Sequence, residues 1–116
     1  MPQALGSIGS AAKQAIPDLL PLLNHLNSYL EADVAVAIIR IEPGNNQALT
    51  VLKNLLNDED VEIRRDTIWT LKDSGKEAKP AQKIIKTSLL DKDEAVRIAA
   101  SQLLHLLEGP RPLRLQ

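Results

Sequence analysis

No cysteine and no phenylalanine occur in this chain, and Tyr29 and Trp69 are its only aromatic residues. The first absence excludes disulfides, thiolate metal centres and cysteine nucleophiles, and it fits a reducing compartment. The second removes the large side chains around which globular cores are usually built. What remains for burial is Leu, Ile, Val and Ala, within a 44% apolar composition. Such residues suffice where each layer of a structure buries only a thin slab. Charge excess is missing as well. Fourteen basic residues face 15 acidic ones, leaving a net charge of −1 and a pI of about 6.1. A general nucleic-acid binder needs a net basic face to neutralise phosphates, so that class is disfavoured. No apolar run reaches membrane-spanning length, and Met1-Pro2-Gln3 carries no charged leader ahead of an apolar core. The expectation is a single soluble, cytoplasmic domain of 116 residues.

What the chain does have is a repeated unit. The stretch from Asp58 to Leu90 reads as one complete helix–turn–helix. Asp60 can accept from the free amides of a first turn, and Val61, Arg64, Ile68 and Leu71 then recur at helical spacing, with Trp69 beside them. Ser74-Gly75 ends that helix, because glycine enters the left-handed conformation a helix C-terminus often needs. A second helix is expected to follow with Pro80 near its first turn, where a missing amide is tolerated, and with Ala81, Ile84, Ile85, Leu89 and Leu90 on its apolar side.

The neighbouring stretches copy this unit. Asp60, Ile63-Arg64 and Leu71 return as Asp93, Val96-Arg97 and Leu104, all displaced by the same interval. Leu-Leu doublets fall at Leu22-Leu23, Leu55-Leu56 and Leu89-Leu90, and glycines at Gly9, Gly44, Gly75 and Gly109 keep a similar step. Several independent markers holding one period identify a repeat array. The predicted fold is all-α, an α-solenoid of antiparallel helix pairs with about six helices. Its divisions are a partial repeat over 4–26, repeats over 27–57 and 58–90, and a partial repeat over 91–109. The out-of-phase ends are compatible with a piece of a longer array. Open ends of this kind also predict self-association.

The DEDVEIRR and DKDEAVRIAA starts and the ALGSIGSAAKQAIPDLLPLL segment resemble HEAT repeats, and are particularly similar to the short bacterial HEAT-like repeats first associated with phycobilisome lyases. The resemblance runs from Ala4 to about Gly109. It implies an armadillo-like superhelix that binds a protein partner on a concave surface lined by second helices. In that family the Asp and Arg of a D-x-x-x-R pattern bridge neighbouring repeats, which assigns an inter-repeat ladder to Asp60 with Arg64 and Asp93 with Arg97. In the second copy Asp33 is followed four residues later by Ala37, so that rung is expected to be missing.

Candidate binding residues lie on the second helices. Lys76, Lys79, Lys83 and Lys86 are spaced to share one helix face, and by the resemblance that face lines the groove. An acidic partner surface would suit it, and so would plain solvation. Gln47, Thr50, Lys53 and Asn54 on the preceding second helix would extend the same polar surface, with Gln14, Asp18 and His25 beyond them. Trp69 is expected to fill a gap between repeats, with partner binding as the lesser alternative. The carboxylates of Glu59, Glu62, Asp66 and Asp73 read as a solvated face, since acid–base work needs a cleft and shifted pKa values.

No catalytic residue is assigned. His25 and His105 stand apart, without carboxylates at metal-ligand spacing, and no phosphate loop or nucleophile elbow occurs. No metal site and no cofactor are therefore expected. Three functional classes follow. The first is a non-catalytic scaffold for a protein partner. The second, implied only by the resemblance, is a phycobilin lyase or phycobiliprotein-associated subunit. The third is a nucleic-acid-acting HEAT-like protein, against which the balanced charge speaks.

Overall fold

The computed structural model describes residues 13–24 and 27–109. The expectations for residues 4–12 and for His25 lie outside them. Among the described residues the chain is helical with no strand. Helix α1 covers residues 13–19 and tightens into a 3-10 turn, Leu20–Asn24, where Pro21 lacks the amide a regular helix would use. Helix α2 spans Ser28–Ile41, α3 Asn46–Leu56 and α4 Val61–Ser74. A 3-10 segment, Gly75–Ala81, precedes the short α5, Gln82–Thr87, and a 3-10 turn, Ser88–Leu90, leads to α6, Glu94–Glu108.

The long helices start at one kind of residue with one period. Asn27 caps α2 by accepting from Leu30 N, Asp60 caps α4 by accepting from Glu62 N, and Asp93 caps α6 by accepting from Val96 N. The step from Asn27 to Asp60 equals the step from Asp60 to Asp93. Asp33 therefore lies inside α2, and the residue equivalent to Arg64 is Glu31, not Ala37. The first rung still lacks an arginine, for a different reason than the D-x-x-x-R count implied.

Two layers result. Helices α2, α4 and α6 stack side by side, α4 in the middle, while α3 and the 75–90 segment cover their inner faces. The shortest dimension of the molecule is 20 Å, the thickness of two packed helices. One continuous core joins the layers, centred on Ile38, Ile39, Leu52, Ile68, Leu71, Ile85 and Leu103, all fully buried.

Turns are built by short polar residues. Asn45 caps α3 by accepting from Ala48 N, and its Nδ2 donates to Glu42 Oε1 at 2.9 Å, closing the Pro43-Gly44 turn. Gly75 ends α4 at φ 58°, a conformation that favours glycine, and its N–H donates to Lys72 O.

The second helix of the complete unit differs from expectation. Regular α-helix begins only at Gln82, after Pro80, and seven residues of 3-10 helix precede it. Pro80 has no amide to give an i→i−4 bond, and buried Ala78 and Ala81 bring the tighter backbone close to its neighbours.

Candidate functional site

The loops before α4 and α6 share one construction. In each, the first aspartate of an Asp-x-Asp triplet folds back on the second: Asp58 Oδ1 accepts from Asp60 N, and Asp91 Oδ1 from Asp93 N, both at 2.8 Å. This is the local turn that short acidic side chains favour. An arginine further along then reaches back to the first carbonyl, Arg64 Nη1 to Asp58 O at 2.8 Å and Arg97 Nη1 to Asp91 O at 2.6 Å.

Arg64 also reaches forward. Its Nε and Nη2 donate to the two Asp91 oxygens at 2.9 and 3.2 Å, and the side chains are only 8% and 7% exposed. One guanidinium thus ties the loop before α4 to the loop before α6. Beside it Arg65 clasps Asp93 at 2.8 and 3.1 Å and Glu62 at 3.0 Å. Of the four residues expected in the inter-repeat ladder, Arg64 and Asp93 bridge neighbouring repeats, though not through the pairs Asp60–Arg64 and Asp93–Arg97. Arg64 pairs with Asp91, and Asp93 both caps α6 and pairs with Arg65, while Asp60 caps α4 and Arg97 reaches back to the Asp91 carbonyl. The recurring Asp-x-Asp at 58–60 and 91–93 is the sequence signal for this arrangement. The Arg65 hydrogen bond, reinforced by the Val96 amide, holds the Asp93 carboxyl down at about 2, and Asp93 in turn raises Arg65.

The four lysines are all exposed and lie along the 3-10 segment and α5. Three-residue spacing keeps Lys76 and Lys79 on one side of a 3-10 helix, so the stripe survives the change of helix type. Two of its members brace the end of α6. Lys79 Nζ donates to Leu107 O at 3.2 Å, and Lys86 Nζ lies 3.9 Å from Glu108 Oε2. Cations suit a helix C-terminus, where unpaired carbonyls carry partial negative charge.

Lys76 and Lys79 further line a hollow of about 520 Å³ with Ile39, Arg40, Pro43, Gly44, Glu77 and Pro80. Arg40 pairs with Glu77 across it at 3.0 Å. Gln47, Thr50, Lys53 and Asn54 stand exposed on α3, in the same layer but outside that hollow. Gln47 Nε2 makes a long contact to Leu20 O at 3.5 Å. Gln14 and Asp18 are also exposed, on α1.

On the opposite layer the expectation for Trp69 fails. Its side chain is 55% exposed, because Ile68 and Leu71 already fill the inward arc of α4. Trp69 and the half-exposed Tyr29 of α2 instead line one hollow of about 430 Å³, with Glu62, Arg65 and Asp66 of α4 and Ala95 of α6. Lys72 Nζ sits 5.7 Å from the indole centroid and donates to Gln102 Oε1. Asp66 is not fully solvated. Burial, and then the Asp33 carboxylate, push it above the ordinary range.

His105 is exposed on α6. Among the described residues no group of His, Asp or Glu is arranged to hold a metal ion. No described helix is long and apolar enough to cross a membrane.

Stacked helix pairs, repeated caps at one period and arginine-braced loops define the class of all-α repeat proteins. The description "HEAT repeats" matches residues 2–72, more than half of the chain, and the chain belongs to the HEAT-repeat family. HEAT repeats generally mediate protein–protein interaction. No curated protein and no solved structure matches the chain significantly.

Proposed function

We propose that the chain is a non-catalytic, cytoplasmic interaction module that holds an acidic protein partner along the second-helix layer. The observation that carries this reading is the exposed lysine stripe from Lys76 to Lys86 beside the hollow between Pro43 and Pro80. The hollow offers apolar walls for a partner side chain, and the lysines offer charge. Lys79 and Lys86 are partly committed to α6, so Lys76 and Lys83 carry the contact, with Lys53 and Asn54 of α3 extending the surface. Each exposed pair contributes up to ~1 kcal/mol and weakens with salt.

The test compares the intact chain with the double variant Lys76→Glu, Lys83→Glu in affinity capture at low and high salt. Among the described residues these two lysines have no ion pair or hydrogen bond to another helix, so the variant is expected to keep the fold, which its melting curve checks. A partner held by the parent, lost in the variant and lost in high salt supports the reading. Equal capture by both returns the stripe to a solvated surface.

A second reading rests on the same hollow and on the likeness to phycobilisome-lyase repeats. Apolar lining beside Arg40, Lys76 and Lys79 is what a linear tetrapyrrole with two propionates would require. Retention of coloured phycobiliprotein or free bilin by the immobilised chain favours it, and a colourless column removes it.

A further inference from the structure

The two aromatic residues are the observation that the second-helix surface leaves unused. Tyr29 and Trp69 are the chain's only aromatics, they belong to different repeats, and the stack brings both to one hollow on the first-helix layer. Neither is needed to fill the core: they are 46% and 55% exposed while Ile68 and Leu71 beside them are fully buried. Large aromatic rings left half in water, at one hollow, mark a contact surface rather than a packing residue.

The charges around the rings select the partner group. Glu62 and Asp66 line the hollow, and Asp33 lies close enough to Asp66 to raise its pKa together with burial. Asp93 stands behind Arg65, whose guanidinium is already engaged by Asp93 and Glu62. Lys72 lies over the indole but spends its ammonium on Gln102. With Arg65 matched by Asp93 and Glu62, the remaining carboxylates Asp66 and Asp33 face only the ammonium of Lys72. An aromatic face attracts a positive charge, and a planar guanidinium both stacks on the ring and pairs with a carboxylate.

We infer that this hollow is a second binding site, on the face opposite the lysine stripe, and that it receives an arginine side chain from an exposed basic segment of a partner protein. The ring pair sandwiches or flanks the guanidinium, and Asp66 is its counter-ion. The inference does not depend on the proposal for the lysine surface.

Trp69 is the only tryptophan, so its fluorescence reads this hollow directly. The intact chain is titrated with the peptide acetyl-Gly-Arg-Gly-Arg-Gly-amide, with the corresponding glutamate peptide as control. The expected result is a saturable change in Trp69 emission with the arginine peptide alone. Its midpoint should shift by about tenfold or more in Asp66→Asn and in Tyr29→Ala, and should weaken in high salt. The variant Lys76→Glu, Lys83→Glu should titrate like the parent, which separates this site from the lysine surface. Circular dichroism melting of each variant verifies the fold. No saturable change, or an identical titration by Asp66→Asn, overturns the inference. So does a dimer in sedimentation that Trp69→Ala disperses, because the hollow would then be occupied by a second copy of the chain.

Discussion

Arg64 holds the carboxylate of Asp91, in the next inter-repeat loop, through two hydrogen bonds, and the same guanidinium holds the carbonyls of Asp58 and Glu59 behind it. A single side chain therefore satisfies backbone of one loop and side chain of the next. With both partners more than nine-tenths buried, loss of one leaves the other charged and unpaired. Arg64→Ala is expected to lower unfolding free energy by about 3–5 kcal/mol, a large share of the ~5–15 kcal/mol of a typical domain. Arg64→Met combined with Asp91→Asn should recover part of that loss, because the amide keeps the acceptor for Asp93 N and leaves no charge unpaired. Urea denaturation of the parent and both variants measures these effects. A cost under ~1 kcal/mol for Arg64→Ala would show that the pair behaves as a surface one.

Asp93 makes stability depend on acid. Its carboxyl sits at about 2 when folded, against 3.8 as the ordinary value, because Arg65 and the Val96 amide hold the charged form. A depressed folded pKa contributes stability that is fully present above the unfolded value and is lost as pH falls from about 3.8 toward 2. Asp93→Asn removes this component, so its thermal midpoint should fall less steeply with acid over that window than the parent's. Parallel curves for the two proteins would rule the linkage out.

Neighbours on α4 should respond in opposite ways. Ile68 is fully buried and Trp69 is 55% exposed. Ile68→Ala is expected to cost about 2–5 kcal/mol through lost burial and a residual cavity. Trp69→Ala, despite deleting a larger side chain, should stay within about 1 kcal/mol of the parent, near the range of surface substitutions. Chemical denaturation decides. A large loss in Trp69→Ala would place the indole among the packing residues.

Among the described residues Leu90 is the most exposed large apolar side chain, at 88%, and it occupies a position where the preceding units carry Asn57 and Asn24. It lines a hollow with Leu56, Asn57 and Lys92, and Ile98 and Leu106 on α6 are also half-exposed. The chain is expected to gain mass with concentration in light scattering, and Leu90→Asn should reduce that gain without lowering the melting temperature. A parent mass independent of concentration would count against self-association through Leu90.

Much of this is legible in the residues themselves. Caps at Asp60 and Asp93, the glycine at Gly75 and the apolar spacing of Ile68, Leu71, Leu103 and Leu104 are local signals, because capping, left-handed backbone and helix periodicity act within a few residues. Gln47, Thr50, Lys53 and Asn54 read as outward-facing for the same reason. The start of α5 is not legible, although Pro80 is in plain view. A proline is tolerated in the first turn of an α-helix and equally in a 3-10 segment, and burial of Ala78 and Ala81 decides between them.

The period, the capped starts of α4 and α6 and the all-α repeat fold follow from the residues alone, since each is short-range chemistry repeated at a constant interval. Pairing does not. Whether Arg64 meets Asp91 or Asp93, and whether Tyr29 and Trp69 share one hollow, depends on how far one helix is shifted against the next. Spacing along the chain does not encode that shift. It comes from packing the whole apolar face of α4 between α2 and α6, which points one arginine at a buried carboxylate and leaves the only two aromatic rings in water.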